Sequence, residues 1–225
     1  MCGAPVTSRS MSREQPDRES LDRGSPVAIE VRGVYKRFRR HRVLEDVSFT
    51  VAPGRSMAIV GANGCGKSTL LKICAGLLSP TRGSVAVRGR LGYCPQELNL
   101  SRFLTPDDHF TWFGAGLQLD RDGSLEIGHR LAAALDWDVP RRQVRHLSGG
   151  TQQKLNVAST MVTAPNVILL DEPYQGFDQG SYLDFWDVVG ERCAAGCAVV
   201  IVTHMLQELD RVDAVLDLSS RKGTA

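Results

Sequence analysis

Gly61-Ala62-Asn63-Gly64-Cys65-Gly66-Lys67-Ser68-Thr69 stands between two apolar segments of different character. Before it, Met57 to Val60 is a continuous apolar run, the pattern of a strand buried on both faces of a parallel sheet. After it, Leu70, Leu71, Ile73 and Cys74 predict an apolar helix. A glycine-rich stretch joining a strand to a helix suits a chain of phosphates. Glycine lets the backbone approach dense negative charge and adopt positive φ angles. Amides at a helix start then bind the phosphate oxygens. The spacing G-x-x-x-x-G-K-S places Lys67 to reach β- and γ-phosphates and Ser68 to offer a hydroxyl to Mg²⁺. Gly61, Ala62, Asn63, Gly64, Cys65, Gly66, Lys67, Ser68 and Thr69 are the resulting candidates for binding a nucleoside triphosphate.

Two more runs of this kind lie downstream. Val167 to Leu170 leads into Asp171-Glu172, and Ala198 to Val202 leads into Thr203-His204. A buried strand ending in Asp171 delivers a carboxylate to the sheet edge, where it can hold Mg²⁺. Glu172, next in line, can polarise an attacking water as general base. Upstream, alternation at Val27, Ile29 and Val31, and again at Val47, Phe49 and Val51, predicts half-buried strands closed by the turn Ala52-Pro53-Gly54. The middle differs. Thr105-Pro106-Asp107-Asp108 reads as a helix start, with an N-cap, a proline at the first position and acids at the positive end of the dipole. Leu125, Leu131 and Leu135 predict another helix before Pro140, and no strand run interrupts residues 104–160. Each sheet run is expected to lead into a helix. The economical reading is an α/β fold: a parallel core, an antiparallel N-terminal portion and a helical subdomain inserted at about 97–160.

At 225 residues, 42% hydrophobic and 23% charged, the chain has the length of one large domain, or of a domain with an inserted subdomain. Residues 1–26 are rich in Ser, Arg, Pro and acids and poor in apolar groups, so a disordered tail is expected ahead of one domain over 27–225. The longest stretch without a formal charge, Leu155 to Leu170, contains several polar residues and falls short of a membrane span. The N-terminus has no apolar core like that of a secretory signal. With 27 Lys+Arg against 25 Asp+Glu there is no overall pull toward nucleic acid, and no such partner is expected. Among six cysteines only Cys193 and Cys197 are close, and they lack the second half of a zinc site. Reduced, buried thiols in a cytosol are the expected state.

Leu147-Ser148-Gly149-Gly150-Thr151-Gln152, continued by Gln153-Lys154-Leu155, closely resembles the signature motif of the ATP-binding cassette (ABC) ATPases. It lies between the phosphate loop and the Asp171-Glu172 strand, in that family's order. Phe38, in Tyr35-Lys36-Arg37-Phe38, resembles the aromatic that stacks on adenine. Gln96, in Leu91-Gly92-Tyr93-Cys94-Pro95-Gln96, resembles the glutamine that senses Mg²⁺ and the attacking water. Asp178 resembles the loop aspartate that communicates across a dimer, and His204 the histidine that holds the γ-phosphate. The resemblance covers residues 28–218 and implies a P-loop NTPase fold of the RecA-like kind, with ATP and Mg²⁺ bound and ATP hydrolysed. It implies catalytic roles for Glu172, His204, Lys67 and Gln96, and metal contacts from Ser68, Gln96 and Asp171. Ser148 and the amides of Gly149 and Gly150 would face a γ-phosphate from a helix start. Two departures stand out: Thr151 replaces the usual glutamine, and the passage from Val85–Arg90 to Leu91 is shorter than in many members.

In this family two nucleotide-binding domains face head to tail, with ATP between the phosphate loop of one and the signature helix of the other. The resemblance therefore implies a dimer, read as a homodimer, that drives a separate integral membrane permease from the cytoplasmic face. Phe103, Phe110, Trp112 and Phe113 fall in the stretch that would line the permease groove, with core packing as the competing use for at least half of them. Arg32 to Arg42 carries six Lys or Arg and no acid, and reads as a solvated strand edge, with anionic lipid the weaker use. The short ending, Leu216 to Ala225 after the final strand, and the Glu172–Asp178 loop resemble export-type subunits. The alternative is a soluble ABC ATPase with an assembly role, such as iron–sulfur cluster biogenesis.

Overall fold

Period and burial together divide the strands into two sheets. The computed structural model describes residues 27–219 except 117 and 205, with backbone alone at 206–208; the expected tail, 1–26, lies outside them. In chain order, β1 (Ile29–Phe38) and β2 (His41–Val51) form a hairpin, and β3 (Ser56–Val60) leads to α1 (Lys67–Cys74). β4 (Arg82–Val87) and β5 (Leu91–Cys94) follow, then α2 (Pro106–Ala115), α3 (Arg121–Ala134) and α4 (Gly149–Val162). β6 (Val167–Asp171), α5 (Gln179–Ala194), β7 (Ala198–Val202) and β8 (Ala214–Asp217) complete it. The smaller sheet has the order β2-β1-β4 and is antiparallel. The larger has the order β5-β6-β7-β3-β8, with every pairing parallel.

Every residue of β3, β6 and β7 is buried, which is what their continuous apolar runs require. The parallel sheet separates two cores. On one face Val167, Leu169, Val200 and Val202 pack with α1 and with Val31, Val34 and Val47 of the antiparallel sheet. On the other, Ile168, Leu170, Val199 and Ile201 pack with Phe110, Leu131, Leu155, Met161 and Phe185 of the helices. Strand alternation sends successive side chains to opposite layers.

The helical middle begins as its sequence dictates. Thr105 caps α2, accepting from Asp108 N, while the Asp108 carboxylate accepts from Thr105 N at 2.9 Å. Asp120 caps α3 by accepting from Gly123 N at 2.8 Å. α2 and α3 meet closely because Gly128 has no side chain: a Cβ there would stand 2.2 Å from the buried Phe110 ring. Gly128→Ala is therefore expected to overpack this contact. That costs roughly 1–3 kcal/mol, more than the ~1 kcal/mol alanine returns in helix propensity. Thermal unfolding should show a lower melting temperature, with ATP affinity unchanged.

Several expectations need correcting. The strands of the N-terminal portion are longer than the alternation implied, because the basic stretch Arg32 to Arg42 belongs to the β1–β2 hairpin, partly on its exposed face. Some of those charges are paired on the surface, Arg32 with Glu30 at 2.5 Å and Arg42 with Glu45 at 3.9 Å. β7 leads to a 3₁₀ segment, Leu206–Arg211, instead of an α-helix. Leu216 lies inside β8 and not after the last strand. The four aromatics divide as expected, with core packing claiming half: Phe110 is fully buried and Phe113 packs on the helical core, whereas Phe103 and Trp112 stand exposed.

Candidate active site

Four loops leave the carboxyl ends of neighbouring parallel strands: 61–66 after β3, Pro95–Gln96 after β5, 172–178 after β6 and Thr203–His204 after β7. Ligands of open α/β sheets bind outside these strand ends. The loops enclose a cleft of about 750 Å³ whose walls include Asn63, Gly64, Gly66, Lys67, Ser68, Thr69, Gln96, Glu172 and His204. The sheet order thus brings together residues scattered over most of the chain.

The first wall is the glycine loop. Gly64 (φ 76°) and Gly66 (φ 106°) hold left-handed backbone, and a Cβ on Gly66 would meet Leu44 and Val43 of β2 at 2.8 and 2.9 Å. Lys67 is buried, and its ammonium donates to the carbonyls of Gly61 (2.7 Å) and Ala62 (3.2 Å). α1 starts at Gly66 with no side-chain cap and no acid in its first turn. The other four α-helices are each capped by their own Thr105, Asp120, Ser148 or Asp178. An uncapped helix start that opens on a cleft is suited to anionic oxygens. Cys65 lies beneath the loop, buried against Gly61.

The opposite wall carries the acids. Asp171 ends β6 almost wholly buried, and its Oδ1 has no hydrogen-bond partner. Burial pushes its carboxyl above the usual carboxylate range; Glu172 adds to the push, while Ser68, Lys72 and Lys67 pull it down. Ser68, Gln96 and Asp171 share the lining of a small adjoining cavity of about 110 Å³. An orphaned buried carboxylate oxygen beside a hydroxyl and an amide oxygen is an all-oxygen donor set, which fits Mg²⁺.

Glu172 departs from ordinary backbone, with φ +48°. A non-glycine residue there costs about 1–2 kcal/mol. Its N–H donates to Val202 O at 3.1 Å, which ties the end of β6 to β7. The side chain reaches both neighbouring loops: Gln96 Nε2 donates to Oε2 at 3.1 Å, and His204 Nδ1 stands 3.5 Å from Oε1. A carboxylate fixed between an amide and an imidazole can orient a water and accept its proton.

Not every candidate joins this cleft. Phe38 ends β1 half-exposed with Lys36 5.0 Å from its ring, and it does not line the cleft. Ser148, Gly149 and Gly150 lie at the start of α4, also away from it. There the Ser148 hydroxyl caps the helix and shares a 2.8 Å hydrogen bond with Thr151 Oγ1, so Thr151 serves the cap. Gly150 packs against the 172–178 loop, where an added Cβ would approach Gly176 O to 2.5 Å. Asp178 is the N-cap of α5, accepting from Ser181 N at 2.8 Å. The sequence reading missed three wall residues, His41, Val43 and Gln175. Only Gln175 had a local signal, its place three residues after Glu172.

The family profile described as ABC transporter matches residues 44–175. The chain belongs to the ABC transporter family. As a member it is an ATP-binding protein and an ATPase of the P-loop NTPase cassette fold. The zinc import ATP-binding protein ZnuC of Yersinia enterocolitica is 36% identical over 187 residues, covering 81% of this chain and 72% of that one. An uncharacterized ABC transporter ATP-binding protein of Methanocaldococcus jannaschii is 32% identical, covering 86% and 75%. The Nod factor export ATP-binding protein I of Sinorhizobium fredii is 32% identical and longer, with 60% of its length covered. Among solved structures, an ATP-binding subunit of an ABC transporter superposes with TM-score 0.78 at 26% identity, covering 85% of this chain and 86% of that one. This ABC ATPase has, among its described residues, no helix long and apolar enough to cross a membrane.

Proposed function

We propose that this ABC ATPase binds and hydrolyses ATP to energise a separate integral membrane permease, working at the cytoplasmic face of the membrane. The observation that carries the reading is the convergence of Lys67, Ser68, Gln96, Glu172 and His204 on one cleft. In it, Gly61 to Thr69 bind the phosphates through backbone amides, and the Lys67 ammonium exchanges its loop carbonyls for phosphate oxygens. Ser68, Gln96 and Asp171 would hold Mg²⁺, which supplies positive charge against the phosphates. Glu172 takes a proton from the water whose oxygen bonds to the γ-phosphorus. The bond from that phosphorus to the β–γ bridging oxygen breaks, releasing ADP and phosphate. His204 and Gln96 orient the water and the γ-phosphate.

Phe38 and the Ser148–Gly150 helix start belong to the same proposal. Phe38 is exposed and available to stack on adenine. The signature helix start is exposed too, and we assign it to the γ-phosphate of a second copy, in a head-to-tail homodimer. Relatives of similar identity carry both import and export names, so similarity is neutral on direction. The export reading rests on the Glu172–Asp178 loop. Residues 97–160 we read as the inserted helical subdomain, with exposed Phe103 and Trp112 on the permease side. The test is purification of the tagged chain from its native membranes. A co-purifying multi-spanning protein that stimulates ATP turnover in vesicles supports the proposal, and cargo moved out of the cytoplasmic side supports export. A soluble scaffold partner in its place overturns transport.

A further inference from the structure

Glu172 keeps a left-handed backbone, a conformation that persists only where the surroundings over-determine it. Three tethers do so. Its own N–H is bonded to Val202 O at 3.1 Å. Gln153 Nε2, from the signature helix, donates to Pro173 O at 3.0 Å in a buried contact. The Tyr174 hydroxyl donates to Thr203 Oγ1, also buried. Tyr174 stands two residues after Glu172, and Thr203 stands one before His204.

We propose that Tyr174 is a positioning residue for hydrolysis: its buried hydroxyl, bonded to Thr203, locks the loop bearing Glu172 to the loop bearing His204. The inference rests on the reading of Glu172 and His204 given above. The Tyr174 ring does not need its hydroxyl to stay in place. It meets Tyr182 edge-on at 5.0 Å and Phe185 at 5.6 Å, both from α5. A phenylalanine would pack in that aromatic cage as well. A hydroxyl buried among apolar rings is unfavourable unless it is bonded. Here its bond spans the two strand ends whose side chains approach each other to 3.5 Å at Glu172 and His204. His204 is otherwise exposed, so the loop before it is where a tether has most to restrict. Tyr174 itself does not line the cleft, and its effect is transmitted through the two loops.

The test is steady-state ATP hydrolysis by the full chain carrying Tyr174→Phe, Thr203→Val, Thr203→Ser or the double Tyr174→Phe/Thr203→Val, with thermal unfolding of each. Tyr174→Phe and Thr203→Val should each lower kcat about tenfold, the rate equivalent of one net hydrogen bond. KM for ATP should stay within about twofold of the wild type. Thr203→Ser, which keeps the acceptor, should restore turnover, and the double variant should lose clearly less than the product of the two single losses, because the two changes share the Tyr174–Thr203 bond. Wild-type kcat in Tyr174→Phe overturns the proposal. So do multiplying losses in the double variant, a Thr203→Ser as slow as Thr203→Val, or a kcat loss that disappears on cooling to equal fractional unfolding. Glu172→Gln is assayed beside them. If it turns over normally, the underlying reading of the site fails; if it is inactive while Tyr174→Phe is normal, only the tether fails.

Discussion

Glu172→Gln is expected to bind ATP as tightly as the wild type and to turn it over ~10²–10⁴-fold more slowly, the usual worth of a positioned general base. The substitution isolates the proton-accepting oxygen. Glutamine has the same shape and the same backbone preference, so the cost of the left-handed conformation at φ +48° is unchanged. Its amide oxygen can still accept from Gln96 Nε2, now 3.1 Å from the carboxylate. What disappears is the charge between Gln96 and His204, and with it the destination of the water's proton. Removing a carboxylate from a cleft built for a triphosphate does not weaken nucleotide binding. Equilibrium ATP binding and single-turnover phosphate release measure the two quantities separately. Wild-type turnover would overturn the general-base assignment.

Lys67→Ala should fail at the other step. The Lys67 ammonium now bonds to Gly61 O and Ala62 O, inside its own loop. Those carbonyls hold it at the floor of the cleft until phosphate oxygens replace them. A hydrogen bond to a charged group is worth about 1.5–3 kcal/mol. Loss of this lysine should therefore weaken ATP binding by roughly 10–10²-fold, and turnover at limiting ATP should fall at least as far. Titration of ATP against the variant checks it. An unchanged dissociation constant would remove Lys67 from the phosphate site. The two variants separate binding from chemistry: one moves the dissociation constant, the other the rate at saturation.

The elements legible in the sequence are those whose environment is uniform. β3, β6 and β7 are buried at every position, so an unbroken apolar run marks each. Thr105 and Pro106 mark the start of α2 because capping is local chemistry. β4 and β5 gave no such mark. β4 is mostly exposed and β5 has only four residues, too few for a period to show. The candidate site divides the same way. Lys67, Ser68, Asp171 and Glu172 sit in short segments whose residue types state their chemistry, and the family resemblance carried Gln96, His204 and Phe38. Contacts across elements have no such trace. Val43 and Leu44 press on Gly66 from β2, and Tyr174 meets Thr203 across 29 residues. Asp178 was read only for a role across a dimer, and its use as the N-cap of α5 became visible with the structure.

The start of α1 has a thermodynamic consequence. A helix that lacks its own cap leaves part of its stabilisation to whatever binds there, and that makes nucleotide concentration a variable of the folding equilibrium. A ligand held by the native state alone adds RT ln(1 + [L]/Kd), about 2.7 kcal/mol at a hundredfold excess over Kd. The melting temperature should therefore climb with ATP in Glu172→Gln, where the nucleotide persists, and respond far less in Lys67→Ala. Occupancy of the cleft then becomes readable by calorimetry. The emptied protein is the state in which the 61–66 loop and α1 are most exposed to local opening.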